Sequence, residues 1–309
     1  MKEVFDLQDL RDWPEASREI SPPVRLGVVG DPVAHSLSPR MQNAALQTCG
    51  LAFRYAAFRI APNELVEALG LFRQHDFLGL NLTVPHKIAA LSLVDEVDER
   101  AQKIGAINTI TFREGRSLGA NTDGPGFARA VREEFSVDLR DLRVLLLGAG
   151  GGAGRAVAFQ CAQENCERLV LVNRTLTKAQ ALARELAASF SGPRVLGPEA
   201  RLEAVPWEER ALRTQLERTD LVINATSLGL KQSDPSPLPR MLIAPHLMIH
   251  DLIPRRAPTA LLTAAREAGA RGANGSSMLL HQGALAFELW FDRPAPIDTM
   301  RAELGQAEG

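Results

Sequence analysis

The segment GAGGGAG, residues 148–154, stands between the apolar run RVLLL and a helix-like stretch ending in AVAFQCAQ. Glycines let a backbone approach a pyrophosphate closely, and a helix starting there turns N–H groups and positive potential toward it. Such turns also serve plain packing, but the strand-turn-helix context favours a dinucleotide. The next strand, LVLVNRT, discriminates between cofactors. An acid roughly 20 residues after the glycines would bind a ribose 2′-hydroxyl, whereas Asn173-Arg174-Thr175 stands at that strand's end. An arginine between neutral polar residues suits a 2′-phosphate. NADP is therefore favoured, with Gly148, Ala149, Gly150, Gly151, Gly152, Asn173, Arg174 and Thr175 as expected contacts. The plain alternative makes Thr175 a helix cap and Arg174 an exposed side chain; both readings can hold together.

A second stretch, FLGLNLTVPHKI (77–88), follows a buried-strand pattern with a lysine at an expected helix start. Proline favours the first helical position, so Pro85 is expected to open a helical turn. The dipole there disfavours a cation by roughly 0.3–1 kcal/mol. Asn81 and Thr83, two residues apart on the strand, would share one face. A lone lysine so placed reads first as a solvated surface residue; a site that needs a cation is the alternative.

The elements that must position these residues alternate. RLGVVG (25–30) reads as a strand, followed by a helix from Ser38-Pro39 to Cys49. FRYAAFRI (53–60) is the next strand, with a helix from Pro62; FLGLNLTV and AINTITF (106–112) follow as strands. This order implies a mainly parallel sheet. A second unit begins near residue 140, with strands at RVLLL, LVLVNRT (169–175), DLVINATS (220–227) and HLMIHDLI (246–253). Residues 192–218, carrying Pro193, Pro198 and Pro206, read as irregular or helical, and a long helix is expected from Ser276 to Phe291. The expected fold is two-domain α/β: a mainly parallel N-terminal domain and a Rossmann-like one. The expected division is an N-terminal extension at 1–23, a discontinuous domain of 24–122 with 276–309, and a nucleotide domain at 123–275.

Composition bounds the partners. The 309 residues are 45% hydrophobic and 23% charged, with a net charge of −2. That balance and the shortness of Arg255-Arg256 argue against nucleic acid. No apolar run approaches the roughly 18 residues of a membrane span. The N-terminus MKEVFDLQDLRDWPEAS has no apolar signal-peptide core. A cytoplasmic protein is expected. Cys49, Cys161 and Cys166 fit no disulfide or zinc spacing and the six histidines show no metal grouping, so no metal is expected. His35, His86 and His281 read as local hydrogen-bonding residues.

Taken in order, VVGDPVAHSLSP (28–39), GLNLTVPHK (79–87), GAINT (105–109) and GANTDGPG (119–126) resemble the substrate-domain motifs of shikimate dehydrogenases. GAGG, NRT and NATSLGL (224–230) resemble that family's cofactor motifs, and MLLHQGALAFELW (278–290) its C-terminal signature. The resemblance covers nearly all of residues 24 to 291. It implies NADP-linked interconversion of 3-dehydroshikimate and shikimate, a ketone-to-alcohol step toward aromatic amino acids. Ser36 and Ser38 would hold the substrate carboxylate. Asn81, Thr83, Asn108 and Gln282 would contact ring hydroxyls or neighbouring polar groups, Thr226 would lie with the cofactor residues, and Lys87 and Asp123 would form the catalytic pair. The chemistry fits these types: a carboxylate and three hydroxyls need small donors and acceptors, and developing alkoxide charge needs a proton donor or cation. Asp123 and Ser38 also read as helix caps.

The chain departs from the family pattern. DLIPRRAPT (251–259) places Pro254 where a tyrosine is usual, and the glycine turn is one residue longer. Gln42 replaces a common histidine, and Ser276 a common leucine. A quinate or aminoshikimate dehydrogenase is the nearest alternative; a non-catalytic nucleotide sensor is one from another class, and an intact Lys87 and Asp123 weigh against it. A methylene-tetrahydrofolate dehydrogenase-like enzyme fits the HSLSP serines less well. The expected partner is a small-molecule substrate, with a homodimer as an open option.

Overall fold

The computed structural model describes residues 2, 4–191, 200–255 and 257–307, so Pro193, Pro198 and Arg256 lie outside the described residues. The chain divides into two compact units, Met1–Thr122 with Leu280–Gly309, and Asp123–Leu279.

The first unit holds strands β1 (Val4–Phe5), β2 (Val24–Gly30), β3 (Arg54–Arg59), β4 (Gly79–Leu82), β5 (Glu96–Val97), β6 (Thr109–Arg113) and β7 (Arg116–Ala120). They form one seven-stranded sheet in the order β1-β3-β2-β4-β6-β7-β5. The sheet is mixed: β1, β3, β2 and β4 run parallel, as do β5 and β7, while β6 is antiparallel to both β4 and β7. A hairpin joins β6 to β7. Arg113 pairs with Arg116, and Glu114 and Gly115 between them have φ of 52° and 74°. Two left-handed residues make the tight turn whose twist matches paired strands. Residues 1–23, read as an extension, supply the edge strand β1, and Phe5, Leu7, Leu10 and Trp13 are buried in the core. Asp6 and Asp9 cap the helix Leu7–Arg11 reciprocally, each side chain accepting the other's N–H.

The return of the C-terminal helix is built into the sheet. A Cβ on Gly79 would lie 2.1 Å from the Trp290 indole. Only glycine leaves room for that ring, whose Nε1 donates to the Ile110 carbonyl at 3.0 Å. On the same helix, a Cβ on Gly283 would lie 2.3 Å from Met41, and Gln42 Nε2 donates to the Gly283 carbonyl at 2.9 Å.

The second unit holds β8 (Arg143–Leu147), β9 (Arg168–Val172), β10 (Leu202–Val205), β11 (Leu221–Asn224), β12 (Met248–Asp251) and β13 (Arg271–Ala273). Their order is β10-β9-β8-β11-β12-β13, and all neighbours are parallel. Counted from β8 this is 3-2-1-4-5-6, the doubly wound dinucleotide-binding order. The sequence reading missed the outer strands β10 and β13. Residues 202–205, expected to be irregular or helical, are a strand because they pair with β9, Leu202 opposite Leu169. The short outer strands carry little period of their own.

Candidate active site

In open α/β sheets, ligands bind beyond the strand carboxyl ends where strand order reverses. In the first unit that place is the end of β2 and β4, because the chain leaves β2 for β3 and then crosses back to β4. The loop after β2 carries Ser36, and the turn after β4 carries Lys87. Backbone bonds join the two segments: Thr83 N–H donates to the Val29 carbonyl at 2.9 Å, and Asp31 N–H to the Val84 carbonyl at 3.0 Å. A Cβ on Gly30 would lie 2.2 Å from Thr83 Cγ2, so the half-buried Thr83 packs directly on this junction.

Ser36 Oγ accepts the Ser38 N–H at 3.3 Å. Ser38 is the first residue of the helix Ser38–Thr48, with Leu37 at the cap position, so the expectation that Ser38 caps is corrected. Pro39 behind it has no N–H to leave unpaired. Asn81 is buried on β4. Its Nδ2 donates to the Asn108 carbonyl at 3.3 Å and to Thr109 Oγ1 at 3.2 Å, and its Oδ1 accepts from Tyr55 Oη at 2.8 Å. Asn108 is the hub. Its Oδ1 accepts Thr122 N–H at 2.8 Å and Thr109 Oγ1 at 3.0 Å, while its Nδ2 donates to Thr122 Oγ1 at 2.9 Å and Gln282 Oε1 at 3.4 Å. Asn81, Asn108 and Gln282 are thus buried in one polar cluster, and Ser38 is buried at the start of its helix. Tyr55, Thr109 and Thr122 were missed in the sequence; the available signal was that Tyr55 is the chain's single tyrosine.

Lys87 is half-buried, the second residue of the helix His86–Ala89, with Pro85 at the cap position. That helix is four residues long, so the expected dipole penalty has little force: its single turn is both first and last. Two anchors hold the turn. The Lys87 carbonyl accepts Ile107 N–H at 2.8 Å, and His86 Nε2 lies 2.8 Å from the Ile60 carbonyl. Burial lowers the His86 pKa, so near neutral pH the ring is an uncharged anchor whose Nε2 donates to Ile60.

Asp123, which directly follows Thr122, is 3% exposed and opens the helix Asp123–Phe135. It is the first helical residue, not the cap expected of it. A carboxylate in a first turn is favoured by the helix dipole.

The second unit has its own reversal point, between β8 and β11. Gly148 has φ of 88°, and a Cβ there would lie 2.8 Å from the Ala225 backbone. Ala149 is fully buried, Gly151 caps, and the helix Gly152–Gln163 begins next. The extra residue in the turn makes Gly154 the glycine of close approach: a Cβ there would lie 2.2 Å from the Gly148 carbonyl oxygen. Gly150 faces Asn173 Nδ2 at 3.2 Å from its would-be Cβ, linking the turn to the end of β9. There Asn173 Nδ2 donates to the Thr175 carbonyl at 3.0 Å, and Arg174 and Thr175 are exposed. Thr175 occupies the cap position of Leu176–Leu186 without a side-chain capping bond.

Thr226 Oγ1 donates to Asn224 Oδ1 at 2.7 Å and accepts Leu228 N–H at 3.0 Å. Asn224 Nδ2 in turn donates to Asp251 Oδ1 at 2.8 Å, and Thr259 Oγ1 to Asp251 Oδ2 at 2.5 Å. Burial pushes the Asp251 pKa up against these hydrogen bonds. Asn224, Asp251 and Thr259 hold the strand ends and were not singled out from sequence. A glycine cradle, an exposed arginine and no acid at the end of β9 fit a 2′-phosphorylated dinucleotide.

Gly154→Ala is expected to cost about 1–3 kcal/mol through overpacking against backbone, and to weaken NADP binding. Gly70→Ala, with nothing within 4 Å of its Cβ, should not. Thermal melts and NADP titrations of both variants test this; equal melting temperatures would refute it.

Fold and residues together define a two-unit α/β dehydrogenase, one sheet built for a dinucleotide and the other carrying a lysine beside a buried amide-hydroxyl cluster. Residues 28–110 match the shikimate dehydrogenase substrate binding domain, 129–232 match shikimate / quinate 5-dehydrogenase, and 275–304 match the shikimate 5′-dehydrogenase C-terminal domain. Shikimate dehydrogenase (NADP(+)) of Methanopyrus kandleri is 41% identical over 278 residues, covering 89% of this chain and 93% of that protein. The Symbiobacterium thermophilum protein of that name is 41% identical over 287 residues, covering 92% and 95%. The crystal structure of shikimate 5-dehydrogenase from Thermus thermophilus, in complex with NADP(H) and shikimate, superposes with a TM-score of 0.79 at 39% identity, covering 92% and 99% of the two chains. The chain belongs to the shikimate dehydrogenase family.

Proposed function

We propose that this chain is an NADP-dependent shikimate dehydrogenase, reversibly reducing 3-dehydroshikimate to shikimate. The observation that carries the substrate side is the buried cluster of Asn81, Asn108 and Gln282, which adjoins the Lys87 turn through Ile107. The first unit would handle the substrate and the second the dinucleotide. Ser36 and Ser38 would meet the carboxylate, and Thr83, Asn108 and Gln282 the ring hydroxyls. Asn81, whose amide hydrogens bond within the protein, would orient Asn108.

The glycine turn at 148–152, with Asn173, Arg174, Thr175 and Thr226, would hold NADP. Bound there, the nicotinamide supplies or accepts the hydride. Lys87 would give its proton to the oxygen gaining charge as the ketone is reduced, and take it back in the reverse direction. Asp123 would favour the charged lysine. Among the described residues no helix is long and apolar enough to cross a membrane. We place the protein in the cytoplasm, where three free thiols are at home.

Initial rates with shikimate and quinate, each with NADP and NAD, test this reading. Quinate adds a hydroxyl at the carbon bearing the carboxylate, where Ser36 and Ser38 crowd the site. An added hydroxyl alone gives modest discrimination, so kcat/KM for shikimate should exceed that for quinate by roughly ten- to a hundredfold. The second unit's match to a shikimate / quinate family favours quinate as the second reading. A higher kcat/KM for quinate would establish it instead.

A further inference from the structure

We propose that Tyr55 is a positioning residue of the substrate site. Its buried hydroxyl donates to Asn81 and so supports the run of hydrogen bonds from Asn81 through Asn108 to Gln282. The inference rests on the function proposed above and assigns a role within that site.

Tyr55 lies on β3, 2% exposed, with its ring 6.0 Å from that of Trp290. Its hydroxyl has one proton, and that proton goes to Asn81 Oδ1 at 2.8 Å. The amide oxygen therefore faces the phenol, and both Asn81 Nδ2 hydrogens face the Asn108 carbonyl and Thr109 Oγ1. The reverse orientation would set amide oxygen against carbonyl oxygen. Having accepted from Asn81, Thr109 Oγ1 donates onward to Asn108 Oδ1. Asn108 Nδ2 is thus left to donate to Thr122 and to Gln282 Oε1. The Thr122 N–H, donating to Asn108 Oδ1 at 2.8 Å, holds the same amide orientation from the other end.

Tyr55→Phe keeps the ring and its packing and deletes only the hydroxyl. KM for shikimate should rise roughly three- to tenfold, the loss expected for one neutral hydrogen bond. kcat and KM for NADP should stay within about twofold, the split expected when uniform substrate binding is lost. Asn81→Ala should raise the same KM by a similar factor, and the double variant no further, because both changes cut one chain. A purely structural tyrosine would lower the melting temperature and leave KM for shikimate unmoved. An unchanged KM in folded Tyr55→Phe overturns the inference; if that variant does not fold, an unchanged KM in Asn81→Ala does so. Wild-type protein that fails to oxidise shikimate with NADP overturns the proposed function instead, a separate result in the same assay.

Discussion

Lys87→Ala should lower kcat for shikimate oxidation by roughly 10²–10⁴, the usual range for losing a general acid or base. The fold should survive. The side chain is half-buried at the β4 turn, while the anchors there are the Lys87 carbonyl, which alanine retains, and the neighbouring His86 ring on Ile60. NADP affinity should hold, since the glycine turn belongs to a different sheet. KM for shikimate should move much less than kcat, because binding is spread over Ser36, Ser38, Asn108 and Gln282. Asp123→Ala should be comparably slow. Groups that act as a unit are strongly non-additive, so the double variant should be little worse than either single. Near-normal turnover in Lys87→Ala would return the residue to the solvated-lysine reading that its local sequence allows.

Arg174→Ala should weaken NADP by on the order of 1.5–3 kcal/mol, about 10- to 150-fold, the size of a charge-assisted hydrogen bond. NAD, with no 2′-phosphate, should change little. Arg174 is exposed and has no partner among the described residues, so its removal breaks no internal bond. Exposure also makes the contact sensitive to salt, and the ratio of NADP to NAD affinity should narrow as ionic strength rises. Paired titrations of both cofactors at two salt concentrations measure this. An equal loss for NADP and NAD, or a native preference for NAD, would remove Arg174 from its role.

Local pattern made much of this protein legible. Apolar runs between turn residues marked β2, β3, β4, β8, β9, β11 and β12, and the glycines between RVLLL and its helix marked the dinucleotide turn before any contact was known. Those signals are short-range: a side-chain period, a proline, a missing Cβ. The outer strands were not marked, because β1, β5, β10 and β13 are two to four residues long and become strands only by pairing with a neighbour. The REGR hairpin carried a signal in Glu114-Gly115, but the reversed pairing of β6 depends on which strand end is open beside β4. Asp123 was expected at a cap and stands inside its helix, a one-residue difference set by how the chain leaves β7. The polar cluster shows the limit most clearly. Asn108 and Gln282 meet although 174 positions separate them, and Tyr55 and Asn81 although 26 do. Residue type established that each could donate or accept. Which one faces which depends on the register of β3, β4 and β6 and on where Trp290 fills the gap left by Gly79, and those are set only when the whole sheet closes.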